Sequence, residues 1–186
     1  MLLMFVFACV LAHYKHYDLK VLAGAWPLYP YFIVELLYFV FQISAFAGNY
    51  SFLPLAGFLK SVYILVMLVP IIVYKLYKPA LWGSGAILTG TILNKLVINA
   101  NNGQMPVFPT ISNLTDYYNE AILQTDTFHV LGDSSTKLWF LADYIDIGWS
   151  ILSLGDIFIH SFTFIIVYCS IKQLSLQRSS YFDGIS

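Results

Sequence analysis

Two aspartates near the end of the chain, Asp143 and Asp156, are the residues whose type and placement could perform chemistry. Asp143 lies in the short apolar stretch Leu138–Ile147, and Asp156 lies near the start of the last apolar segment. Two carboxylates that face each other across a site of low dielectric cannot both ionise easily. One could then act as an acid while the other activates water, so the pair is a candidate hydrolytic centre.

Simpler roles explain the same two carboxylates. Asp156 could form a buried ion pair with Lys95 or Lys60, and such a pair would fix the register of two helices. Asp143 could cap a helix, shape a turn or pair with Lys137. The residue types alone therefore leave a structural role and a catalytic role open.

Further polar residues are predicted to lie in the same layer and to form a binding site. Asn102 precedes Gly103, which is a strong turn signal. Asp146 would share a face with Asp143 if that stretch is helical, because the two are three residues apart. The spacing of cysteine and histidine residues predicts no metal site, and no cofactor is predicted. The predicted binding residues are Asn99, Asn101, Asn102, His129, Lys95 and Asp146.

The elements that must position these residues are long apolar segments. Charged residues make up only 10% of the chain, far below the share that is usual in soluble domains. Most of the apolar segments are long enough to cross a bilayer, where a helix is the economical way to satisfy the backbone. The first is shorter, and Pro70 predicts a kink in the third. The five segments are Leu2–His13, Pro27–Ala47, Leu55–Tyr74, Pro79–Ile98 and Trp149–Ile171.

This pattern predicts an all-α fold: a polytopic membrane bundle of about five transmembrane helices with an ordered extracytoplasmic cap loop, about Asn99–Gly148. We expect one membrane domain, residues 1–174, and a short polar cytoplasmic tail, residues 175–186. Within the cap, Ser112–Gln124 has apolar residues near helical spacing and is predicted to form a short amphipathic helix.

The distribution of basic residues predicts the orientation. Loops after the first, third and fifth segments carry most of the lysine and arginine, whereas the opposite loops carry Lys137. The N-terminus is therefore expected outside and the C-terminus in the cytoplasm. The basic residues on the expected cytoplasmic side are Lys15, Lys20, Lys75, Lys78, Lys172 and Arg178.

Composition narrows the class of function without identifying one. The net charge of −1 gives no basic footprint for nucleic acid. Our leading interpretation is a noncatalytic binding or accessory subunit that meets the lipid bilayer and either other membrane subunits or a second copy of itself. The first alternative is an intramembrane aspartyl hydrolase using Asp143 and Asp156. The second is a small proton-coupled transporter with Glu35 and Asp156 on the proton path.

Several short motifs in order resemble a family of small bacterial integral-membrane proteins of unknown function. They are Asn102-Gly103-Gln104-Met105-Pro106-Val107, His129, Thr136-Lys137-Leu138, Leu141-Ala142-Asp143 and Ser153-Leu154-Gly155-Asp156. The resemblance covers most of residues 1–174. It implies a bacterial cytoplasmic membrane and implies no activity.

The layout of the two aspartates also resembles that of the lipoprotein signal peptidases. In those enzymes one catalytic aspartate lies in a short segment near the outer membrane surface, and the other opens the last helix. The present chain departs from that pattern, because no Gly-Asn…Asp-Arg motif precedes Asp143. This resemblance implies the hydrolase alternative and nothing further.

Overall fold

The computed structural model describes residues 2–49, 51–115 and 128–183. These residues are mostly helical, with short strands confined to the segment between the last two long helices. The helices are α1 (Leu2–Tyr14), α2 (Tyr29–Phe46), α3 (Leu53–Val66), α4 (Leu68–Val73), α5 (Tyr77–Ala100), α6 (Ile111–Leu114) and α7 (Leu154–Asp183). Short 3₁₀ helices cover Leu19–Gly24, Trp26–Leu28 and Trp139–Leu141.

Two small sheets accompany the helices. Strand β1 (Met105–Val107) pairs in parallel with β2 (His129–Leu131), with Met105 opposite His129. Strand β3 (Ile145–Asp146) pairs antiparallel with β4 (Ile151–Leu152). The fold is therefore mainly α-helical, as predicted, with two short two-stranded sheets that the apolar pattern does not reveal.

Within the described part of the chain, three helical stretches are long and apolar enough to cross a membrane: Trp26–Phe46, Tyr77–Ala100 and Leu154–Ser180. Shorter apolar helices cover Leu2–Tyr14 and Ser61–Val73. Large apolar side chains are exposed along the long helices, as is expected where the surrounding solvent is lipid. These are the dimensions and the surface of a membrane protein.

The third predicted segment is divided into two helices near its proline. Helix α3 ends at Val66, and α4 begins at Leu68 and contains Pro70. A proline ring clashes with the carbonyl group four residues earlier, which here belongs to Val66. The break predicted at Pro70 therefore falls one turn before it, where the clash would arise.

The chain forms two compact units, and the first contains residues 1–40, 53–85 and 160–186. Its core includes Tyr31 and Tyr63, whose rings meet edge to face at 5.4 Å. The Tyr63 hydroxyl shares a buried hydrogen bond of 2.9 Å with the Thr163 hydroxyl. A Cβ atom at Gly83 would lie 2.5 Å from Cδ2 of Phe162, so α5 and α7 pack closely at this glycine.

The second unit contains residues 41–52 and 86–159. Its buried apolar cluster consists of Val97, Met105 and Ala142, with Phe108 and Leu141 packed against it. We call residues 101–115 and 128–152 of this unit the cap module. Its strands and turns hold most of the residues that the sequence singled out for chemistry.

Element boundaries in this region differ from the predictions. Helix α6 covers only the start of the predicted helix Ser112–Gln124, whose residues 116–127 lie outside the described part of the chain. The stretch Leu138–Ile147 is not one helix, because a 3₁₀ turn leads into β3. Helix α7 begins at Leu154 rather than Trp149, and it continues through Asp183 into the predicted tail.

Candidate functional site

Asp143 and His129 meet at the centre of the cap module. The Nε2 atom of His129 lies 3.5 Å from Oδ2 of Asp143. Asp143 is only 5% exposed, whereas the His129 side chain retains 31% of its accessible surface. A buried carboxylate can fix the orientation and tautomer of a neighbouring imidazole.

Backbone pairing places these two side chains together. The amide of Asp143 donates to the carbonyl of Pro106 (3.0 Å), and the amide of Phe108 donates to the carbonyl of Asp143 (2.8 Å). On the other side of the same strand, the Met105 amide donates to the Phe128 carbonyl at 2.9 Å. Strand β1 is therefore flanked by His129 and Asp143, and its own residues are buried.

Asp156 belongs to a different network, which caps α7. The amide of Asp156 donates to Oγ of Ser153 (2.9 Å), and the amide of Ser153 donates to Oδ2 of Asp156 (3.2 Å). These reciprocal bonds form a capping box, which satisfies two backbone donors at a helix start. A negative charge in the first turn also interacts favourably with the helix dipole.

Asn94 on α5 joins this cap to the preceding long helix. Its Nδ2 donates to Oδ1 of Asp156 (3.0 Å), and its Oδ1 accepts from Oγ of Ser153 (2.9 Å). One side-chain amide therefore contacts both members of the capping box. Within the described residues Asp156 makes no ion pair with Lys95, which is exposed, and its hydrogen-bonding partners are neutral.

Two glycines permit this approach. A Cβ atom at Gly90 would clash with the carbonyl oxygen of Gly155 and would lie 2.8 Å from Cγ1 of Ile159. A Cβ atom at Gly155 would clash with Oδ1 of Asn94. The glycines of α5 and α7 thus allow close contact between these two helices within the chain.

Asp146 organises the loop before α6. Its Oδ2 accepts from the amides of Thr110 (2.7 Å) and Ser112 (2.8 Å), and its Oδ1 accepts from the amide of Gly148 (2.8 Å). Partial burial opposes ionisation, but these hydrogen bonds outweigh it and lower the pKa of Asp146 to about 2. The carboxylate is occupied by bonds within the chain.

Asn101 connects the end of α5 to the cap module. Its Nδ2 donates to the carbonyls of Val97 and Lys137, both at 2.9 Å, and its Oδ1 accepts from the Lys137 amide at 3.0 Å. Asn102 has a φ of 58° and Gly103 a φ of 85°, so these two residues turn the chain out of the helix. Asn99 is exposed on the last turn of α5.

The predicted site residues therefore divide between separate networks. His129 and Asp143 come together, whereas Asp156 lies with Ser153 and Asn94. Asn94 was not predicted from the sequence, because a single amide in an apolar helix lowers the hydropathy but does not show which residues it contacts. The described residues hold no group of three metal-ligating side chains. Glu35 lies on α2, and its Oε2 atom is buried without a hydrogen-bond partner among the described residues.

The architecture is that of a helical membrane protein with a small structured module between its last two long helices. The chain belongs to the family of unknown function DUF5317, whose model matches residues 19–168. No curated protein and no solved structure matches the chain.

Proposed function

We propose that the chain is a noncatalytic accessory or binding subunit of a membrane complex, and that its cap module contacts the partner. The observation that carries this proposal is a difference between the polar and the aromatic residues of the module. In the module, Asn101 and Asp146 hydrogen-bond within the chain and Asp143 contacts His129, whereas large aromatic side chains are exposed. Trp139 is 58% exposed and Phe140 is 48% exposed.

These aromatic residues form a connected surface. The ring of Trp139 meets Phe140 edge to face at 6.3 Å and Tyr144 at 6.1 Å. Leu138, which precedes them, adopts a left-handed conformation with φ 53°, an arrangement that costs free energy in a residue other than glycine. We call Leu138, Trp139, Phe140 and Tyr144 the aromatic surface. Exposed aromatic clusters of this kind are typical of protein interfaces, where Trp and Tyr supply much of the binding energy.

The proposal extends to the orientation in the membrane. We propose about five membrane segments in a bacterial cytoplasmic membrane, with the N-terminus and the cap module outside and the C-terminus in the cytoplasm. The excess of lysine and arginine in one set of loops supports this orientation. The partner would then be a second membrane protein with an extracytoplasmic face.

The separate networks of the two aspartates favour binding over hydrolysis. A hydrolytic pair needs two carboxylates that share one site, so that one is an acid and the other a base. Asp143 contacts His129, and both carboxylate oxygens of Asp156 accept hydrogen bonds at the start of α7. Capping explains Asp156 without a reaction.

Native mass spectrometry of the full chain, released from its own membrane in lipid, tests the proposal. We expect the chain in a stoichiometric complex with a second membrane protein, and Trp139→Ala should weaken that complex at least about tenfold. Trp82→Ala is the matched control, because Trp82 is 79% exposed on α5 rather than in the cap module. A monodisperse monomer of 21.1 kDa would contradict the proposal, as would equal effects of the two variants.

A further inference from the structure

An open groove in the first compact unit has a lining that suits a lipid. It has a volume of about 450 Å³ and lies between the start of α5 and the last turns of α7. Leu76 and Pro79 form one side. The other side is formed by Cys169, Lys172, Gln173, Leu176, Gln177 and Ser180 of α7.

The α7 side of the groove is a single stripe along the helix. Its members are spaced at three and four residues, so they lie on one face. From Cys169 to Ser180 the stripe is roughly 16 Å long at 1.5 Å per residue. The candidate membrane stretch of this helix ends at Ser180. Because a headgroup layer is only about 5–8 Å thick, a groove of this length begins among acyl chains and ends among headgroups.

The lining combines apolar and polar side chains. Cys169, Leu76 and Pro79 offer an apolar surface that suits an acyl chain. Lys172 and Gln177 offer an ammonium group and an amide, and the lining includes no acidic side chain. An anion that also carries apolar chains would satisfy both parts.

Neighbouring basic residues add to this positive charge. Lys75 and Lys78 are exposed, and each is adjacent in the sequence to a lining residue, Leu76 or Pro79. The nearby Arg178 is instead paired with Asp18 at 2.8 Å. Basic pockets between membrane helices on the cytoplasmic side are typical sites for anionic headgroups.

We infer that this groove binds an anionic diacyl phospholipid, with its acyl chain against the apolar side chains of the lining and its phosphate at the ammonium group of Lys172. None of its lining residues belongs to the cap module, and the site does not depend on the proposed partner. It would fix the ends of α5 and α7 to the lipid on the side of the membrane that carries most of the basic residues.

Binding to the delipidated full chain in detergent, followed by native mass spectrometry and thermal unfolding, tests the site. The probes are phosphatidylglycerol, phosphatidylcholine with the same acyl chains, and glycerol phosphate, which has the headgroup chemistry without chains. We expect phosphatidylglycerol to bind most tightly and to raise the Tm. If phosphatidylcholine bound as tightly as phosphatidylglycerol, the requirement for an anionic headgroup would be refuted. If glycerol phosphate raised the Tm as much as phosphatidylglycerol, the requirement for acyl chains would be refuted.

Variants locate the site. Lys172→Gln should weaken phosphatidylglycerol binding about fivefold, and Lys172→Arg should restore it because the charge is kept. Adding Lys75→Gln and Lys78→Gln should bring the loss to about a hundredfold. Lys137→Gln, an exposed lysine of the cap module, is the matched control and should change nothing. An unchanged affinity in Lys172→Gln, or an equal loss in Lys137→Gln, would overturn the inference.

Discussion

Replacement of Gly90 by alanine tests how α5 and α7 hold the polar network together. A Cβ atom at this position would meet the Gly155 carbonyl and the backbone nitrogen of Ile159, the latter at 3.1 Å. Backbone atoms cannot rotate away, so the two helices must separate. The hydrogen bond of 3.0 Å from Asn94 to Asp156 would then lengthen or break.

Gly85→Ala provides the matched comparison on the same helix. A Cβ atom at Gly85 would meet nothing within 4 Å. Both substitutions gain about 0.5–1 kcal/mol from the better helix propensity of alanine. Gly90→Ala additionally loses about 1–3 kcal/mol because it overpacks a close contact. The difference between the two variants is therefore about 1–3 kcal/mol, and it isolates the packing contribution.

Thermal unfolding of the purified chain in one detergent measures this difference. A change of 1 kcal/mol shifts the Tm of a chain of this size by about 2–4 °C, so Gly90→Ala should unfold about 2–12 °C below Gly85→Ala. Equal Tm values, or a higher Tm for Gly90→Ala, would refute the close contact between Gly90 and Gly155.

Three further predictions follow from individual contacts. Asp146→Asn should destabilise the chain near neutral pH, because the folded-state pKa of about 2 lies below the ordinary 3.8. The carboxylate therefore stabilises the fold above pH 3.8, and this contribution is lost as the pH falls towards 2. A Tm deficit of Asp146→Asn that is the same at pH 7 and pH 2.5 would be inconsistent with this prediction. Ser153→Ala and Asp156→Asn should each lower the free energy of unfolding by about 1 kcal/mol. The double variant should lose less than the sum, because both substitutions remove the same capping box, and strict additivity in a double-mutant cycle would contradict this. Tyr63→Phe should lower the free energy of unfolding by about 1–3 kcal/mol, because it leaves the buried Thr163 hydroxyl without its partner. Tyr77→Phe, at an exposed position, is the control and should leave the free energy of unfolding unchanged in the same assay.

The long helices could be predicted because their signal is local. An apolar run predicts a membrane helix wherever it lies, and the predicted segment Pro27–Ala47 corresponds closely to α2, Tyr29–Phe46. Hydropathy is less informative about where such a helix begins. Ile151 and Leu152 are as apolar as the residues of α7, yet they form β4. The spacing of Ser153 and Asp156 was the better signal, because it is the pattern of a capping box.

The site depends on contacts between distant parts of the chain, which the sequence does not reveal. His129 and Asp143 were each predicted as site residues, but their meeting requires β1 to pair with β2 on one side and with Asp143 on the other. Asp143 and Asp146 were expected to share a helical face, whereas the structure places Asp146 in a strand. Asn94 gave no signal, because its role exists only where Gly90 and Gly155 bring two helices together.

Orientation in the membrane is the claim on which the proposed roles depend, and cysteine labelling in intact cells measures it directly. In a chain whose native Cys9 and Cys169 are replaced by alanine, Ser134→Cys places a thiol in an exposed turn of the cap module, and Ser180→Cys places one at the exposed end of the groove. The account predicts that an impermeant maleimide labels the Ser134→Cys chain in intact cells and the Ser180→Cys chain only after permeabilisation. Labelling in the reverse order would contradict it.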